Sequence, residues 1–193
     1  SQQRKVIMLP TAEMQCVAFD GFDLIARGGP GDVIEGLKSV QDDGRVATVF
    51  EMETGHIVEF DLRGGVQDIL ARLPVEAHAK KGPGRPKLGV ASREVTLLPR
   101  HWQWLATQPG GASVSLRKLV ESAMRSAEAP DRVRKAKEAT YRFMTTLAGN
   151  LDQYEEAVRH LFNANAAAFE RATAHWPADV RQISNEMARA AWS

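Results

Sequence analysis

Residues 16–44 read CVAFDGFDLIARGGPGDVIEGLKSVQDDG, and the fold class turns on how this stretch divides. CVAFD and DLIARG are short apolar-rich runs on either side of a Gly21–Phe22 pair, the pattern of a β-hairpin. Val33, Ile34, Leu37 and Val40 then recur at helical spacing, with Pro30 and Asp32 near the start and Gly44 past the end. Working outward, RVATVFEME, a Thr54–Gly55 turn and HIVEFDLRGG make a second hairpin. In it Ile57 alternates with Glu59 and Val58 with Phe60, which predicts one core face and one wet face. VQDILARLP closes the unit as a short helix stopped by Pro74. The order β-β-α-β-β-α predicts an α+β domain over residues 1–75, and no internal repeat is evident.

The net charge of +1 conceals a strong asymmetry. Residues 1–79 carry 7 Lys/Arg against 13 Asp/Glu, residues 80–125 carry 9 against 2, and residues 126–193 carry 9 against 9. A basic block between an acidic and a neutral one points to a polyanionic partner, or to pairing with an acidic protein surface. Asp20 and Asp23 in the first hairpin, with Glu51, Glu59 and Asp61 in the second, supply an acidic face. The basic block opens with KKGPGRPKLG at 80–89, a run whose Gly and Pro content keeps it out of any core. Residues 76–91 are therefore a linker between domains, an arm that lies on nucleic acid, or both.

Residues 92–127 read as strand, short helix, Gly turn and second helix. Glu94 to Leu98 is strand-like and runs into Pro99 at a helix first turn. Trp102, Leu105 and Ala106 share one face of that helix, and Pro109-Gly110-Gly111 breaks it. Ser113 is the expected N-cap of the second helix, whose apolar positions are Leu116, Leu119, Val120 and Met124. The remainder, 128–193, reads as a separate helical domain.

REVTLL, PRHWQWLATQ, PGGAS and VSLRKLVESAM together resemble the ribbon-helix-helix family of DNA-binding proteins, over about a fifth of the chain. The resemblance implies a homodimer whose paired strands lie in the major groove, with the second helix N-terminus on a phosphate. On this sequence Arg93 and Thr96 would read bases. The backbone of Ser113, Val114 and Ser115, with Arg117 and Lys118, would hold the phosphate. GPGRPK resembles an AT-hook, a minor-groove arm: Gly84, Arg85 and Pro86 match, Lys87 is a flanking cation, and Pro83 replaces the first arginine. Lys80, Lys81, Arg85, Pro86, Lys87, Arg93, Thr96, Arg100, Ser113, Ser115, Arg117 and Lys118 are thus the expected contacts to double-stranded, A·T-rich DNA. Trp102 and Trp104 are core and rim aromatics, or stack on unpaired bases.

Taken whole, GPGRPKLGVASREVTLLPRHWQWLATQPGGASVSLRKLV, YRFMTTLAGN, YEEAVRHLF and WPADVR resemble a bacterial family known as domain of unknown function 2239, which implies no particular activity. The five histidines 56, 78, 101, 160 and 175 are scattered without ligand spacing, so neither metal, cofactor nor enzymatic activity is expected. GGPG (28–31) before a helix lacks the Gly-Lys-Ser/Thr of a phosphate loop and reads as a turn. The lone Cys16 excludes an internal disulfide, and no apolar run suits a signal peptide or membrane span. The expectation is a cytoplasmic, nucleoid-associated protein or transcriptional regulator. The alternative is an adaptor whose basic centre pairs with an acidic surface.

Overall fold

The computed structural model describes residues 7–74 and 92–192. The chain divides into two compact units: 1–76 together with 131–193, and 77–130. In the larger unit the elements run β1 (Ile7–Met8), β2 (Cys16–Asp20), β3 (Asp23–Gly28), α1 (Pro30–Asp42), β4 (Thr48–Glu51), β5 (Ile57–Val58) and α2 (Val66–Arg72). The smaller holds α3 (Pro99–Ala106) and the start of α4 (Gly111–Leu147), which contains Pro130. After α4 come α5 (Tyr154–Phe162), α6 (Ala166–Ala172), α7 (Ala178–Ala188) and a 3-10 turn, Arg189–Trp192. The protein is a mixed α+β structure.

Both expected hairpins form, and the sheet order is β1-β5-β4-β2-β3. All pairings are antiparallel except β1 with β5, where Ile7 faces Ile57 and Met8 faces Val58. Strand β2 is an interior strand, pairing Ala18 with Val49 and Val17 with Phe50 on one side and Phe19 with Leu24 on the other. Cys16, Val17, Ala18 and Phe19 are all buried, because side chains alternate between faces and each face is covered. Cys16 and Ala18 join Val33 and Leu37 of α1 with Val49 and Val58. Val17 and Phe19 point the other way, into a core with Phe50 and residues of the C-terminal helices, from Phe143 to Ile183. The expected wet face of the second hairpin is accordingly a second buried face. Val58 packs in the first core, and half-buried Ile57 packs against the other.

Residues 131–192 therefore share a core with the N-terminal sheet. At its centre Phe143 meets Phe50 and Phe19 edge to face, with ring centroids 5.0 and 5.6 Å apart. The edge strand β3 is closed by α7: the Leu24 N–H donates to Asp179 Oδ2 at 2.9 Å, and Arg27 pairs with both carboxylate oxygens of Glu186. Occupying an edge in this way removes a template for aggregation. The turn between β4 and β5 is built around buried Glu51, whose carboxylate accepts from the N–H groups of Glu53 and Thr54 and from Thr54 Oγ1. The same turn seats on α4, where Arg142 Nη1 donates to the Thr54 carbonyl at 2.8 Å.

One regularity escapes a direct reading of the sequence. Arg27-Gly28-Gly29-Pro30-Gly31-Asp32 and Arg63-Gly64-Gly65-Val66-Gln67-Asp68 lead into α1 and α2 in the same manner. The Gly29 N–H donates to Asp32 Oδ2 at 3.1 Å, and the Gly65 N–H to Asp68 Oδ2 at 2.9 Å. Each carboxylate in the first turn reaches back over its own helix start. The two hairpin-helix halves of the sheet domain thus repeat one helix-start device.

Candidate nucleic-acid interface

The expected contacts fall in the unit 77–130, and its described part is built on two helices and the turn between them. Leu98 precedes Pro99 at the first position of α3, and its carbonyl accepts from the His101 N–H at 2.8 Å. The helix ends in a tight set of bonds to the Trp104 carbonyl, which accepts from Thr107 Oγ1 at 2.7 Å and from the Thr107 N–H at 3.1 Å. Gly110 (φ 86°) and Gly111 (φ 75°) then turn the chain through the left-handed region. A side chain at Gly110 would meet Val114 at 3.1 Å.

Helix α4 starts at Gly111, two residues before the expected N-cap Ser113, because the paired glycines complete the turn by themselves. This moves the free donors. The Gly111 N–H is taken by the Gln108 carbonyl at 3.0 Å. With the helix beginning there, the first-turn N–H groups of Ala112 and Ser113 are the open ones, while those of Val114 and Ser115 lie inside the helical ladder. Ser113 is exposed, whereas Ser115 is 9% exposed and turned inward. The open donors therefore lie one to two residues earlier than the sequence pattern predicts.

Arg93, Thr96, Arg100, Arg117 and Lys118 are all exposed. Residues 92–98 carry no strand ladder among the described residues, although Glu94 to Leu98 has strand composition. Lys80, Lys81, Arg85, Pro86 and Lys87 lie outside the described residues. In the larger unit Arg27, Arg45, Arg63, Arg134, Arg142 and Arg159 each pair with a carboxylate, while Arg132, Lys135, Arg171 and Arg189 are exposed and have no ion pair among the described residues. Among the described residues Arg93, Arg117 and Lys118 have no ion pair, and Arg100 contacts only the His101 ring nitrogen, at 3.5 Å.

Apolar exposure is concentrated in the same unit. Leu105 is buried, but Val95, Leu98, Trp102, Trp104, Leu119, Val120 and Met124 are each at least two-fifths exposed. Neither tryptophan is a core residue of the single chain: Trp102 is 42% and Trp104 50% exposed.

Other chemistry finds little to stand on. No group of three His, Cys, Asp or Glu that could hold a metal ion occurs among the described residues. The helix start at GGPG has Asp32 in the position an anion would need. Among the described residues no helix is long and apolar enough to cross a membrane. No curated protein and no solved structure matches the chain. A family model does, over residues 15–188, which takes in strands β2 to β5, both helices of the basic unit and α5 to α7. The chain belongs to the bacterial family described as "Uncharacterized protein conserved in bacteria (DUF2239)".

Proposed function

We propose that the chain is a DNA-binding protein, a transcriptional regulator or nucleoid-associated protein that works as a homodimer. Its basic unit, with the Gly/Pro arm at 80–89, carries the contacts, and the sheet unit with its C-terminal helices senses or oligomerises. The observation that carries this reading is the charge of the basic unit, 9 Lys/Arg against 2 Asp/Glu over residues 80–125. Arg93, Arg117 and Lys118 stand exposed with no ion pair among the described residues, on a surface rich in exposed apolar groups. Unpaired cations cost little in water and become valuable against phosphate, where each contact releases condensed counterions.

One further feature favours it. A ribbon strand finds its hydrogen-bonding partner only in a second copy, and the absence of a ladder at 92–98 among the described residues fits a strand of this kind. Of the acidic groups an intramolecular pairing would use, Asp20 is engaged by Arg45, Asp61 by Arg63 and Glu51 by its own turn, while Asp23 and Glu59 are exposed. The adaptor alternative's other form uses a partner's acidic surface. Expected in fluorescence anisotropy is micromolar or tighter binding to duplex DNA, strongest on A·T-rich sequence. With about 6–10 phosphate contacts, affinity should fall about 10³-fold or more between 50 and 200 mM salt. Failure to bind any duplex at low salt would exclude the reading.

A further inference from the structure

We propose that residues 116–127 of α4 form a self-association seam, covered by the same segment of a second copy running antiparallel. The inference rests on the dimeric reading above and adds to it the surface and its register. At about 100° per residue, Leu116, Leu119, Val120, Ala123, Met124 and Ala127 fall within an arc of roughly 140°. Arg117, Lys118, Glu121, Arg125 and Glu128 lie on the other side of the helix. Leu119, Val120 and Met124 are 49%, 55% and 67% exposed, so the chain leaves the stripe open to water. An amphipathic helix with its apolar face in water is unfinished.

The sequence of the stripe indicates what finishes it. Laid antiparallel on itself about an axis between Glu121 and Ser122, it pairs Leu116 with Ala127, Leu119 with Met124 and Val120 with Ala123. Every pair is apolar, and Leu116 and Val120 each meet an alanine, the large-against-small fit that interdigitating helices use. A parallel pairing would instead set Ala123 on Ala123 and Ala127 on Ala127, leaving gaps where the antiparallel one is filled. Charge complementarity points the same way. The arc itself holds no charged residue, so neither a nucleic acid nor another charged partner is drawn to it. The charges on the other side alternate in sign along the outer face, as on a solvated side of a paired helix.

The test is disulfide mapping in the full chain with L116C and A127C. The one native cysteine, Cys16, does not interfere: it is fully buried, and burial, then the nearby Glu51 charge, push its thiol up to about 12. Across the proposed axis residue 116 faces 127, while each lies about 16 Å along the helix from its own symmetry mate. That is beyond the ~4 Å Cβ separation of a disulfide. Under mild oxidation, mixed L116C and A127C chains should form a covalent dimer, and either variant alone should form several-fold less. Equal linkage by each variant alone overturns the register, and no linkage in the mixture overturns the seam. Duplex binding by the same reduced variants separates the two claims. Binding without cross-linking leaves the DNA reading standing and removes the seam, whereas cross-linking without binding does the reverse.

Discussion

Replacing Phe143 by alanine is expected to destabilise the protein by about 3–5 kcal/mol, the usual cost of emptying a fully buried aromatic site. Phe143 is 0% exposed and is the ring through which α4 meets both Phe19 of β2 and Phe50 of β4. Its neighbours are themselves large and held by sheet hydrogen bonds, so the cavity cannot collapse cheaply. Against a typical total of about 5–15 kcal/mol the loss is a large fraction. Because Phe143 belongs to a core shared by the sheet and the C-terminal helices, both should lose stability together. Urea unfolding followed by far-ultraviolet circular dichroism and by tryptophan fluorescence (Trp176 and Trp192 lie in that helical region) checks this. A midpoint shift in one signal only would mean that sheet and helices do not fold as one.

Gly55→Ala is expected to cost about 2–5 kcal/mol, from two separable sources. Gly55 has φ 68°, in the left-handed region that costs a residue with a side chain about 1–2 kcal/mol. An added Cβ would also lie 2.2 Å from the Ala139 carbonyl oxygen, so the turn must lift away from α4 or distort it, at about 1–3 kcal/mol. Lifting also strains the Arg142 bond to the Thr54 carbonyl. Gly21→Ala is the control. Gly21 has φ 59° and open space around it, so its alanine variant should show only the backbone cost. Equal losses at both positions, measured by chemical denaturation, would mean that the turn is not seated on α4.

The sequence is legible where a local pattern suffices. CVAFD and DLIARG flank a Gly turn and become β2 and β3 with those boundaries, and VQDILAR becomes α2. Strand β1 is not legible, since Ile7–Met8 is two residues long and its partner Ile57 is far along the chain. Nor is the second covered face. Val17 and Phe19 are covered by Phe143 from far along the chain, a contact no local pattern carries, although the unbroken apolar run from Cys16 to Phe19 is a signal of a strand buried on both sides. At the basic unit, residue types and their cationic character are legible while the helix start is not. Gly110 and Gly111 both adopt positive φ and open α4 early, which leaves Ser113 exposed in its first turn and turns Ser115 inward. The paired Gly-Gly-x-x-Asp helix starts were visible in the letters but carry meaning only once both aspartates are seen to cap.

The account's central claim is that the unpaired cations of the basic unit hold DNA, and Arg117→Ala/Lys118→Ala tests it most directly. Both side chains are exposed and without ion pairs among the described residues, so stability should stay within about 0.5 kcal/mol of the parent. A dimer loses four cations, and at ~0.9 per phosphate contact the slope of log K against log salt should become shallower by about 3–4. Affinity should drop to a similar degree on A·T-rich and G·C-rich duplexes, since phosphate contacts carry no sequence information. An unchanged slope and affinity in the double variant would contradict the account.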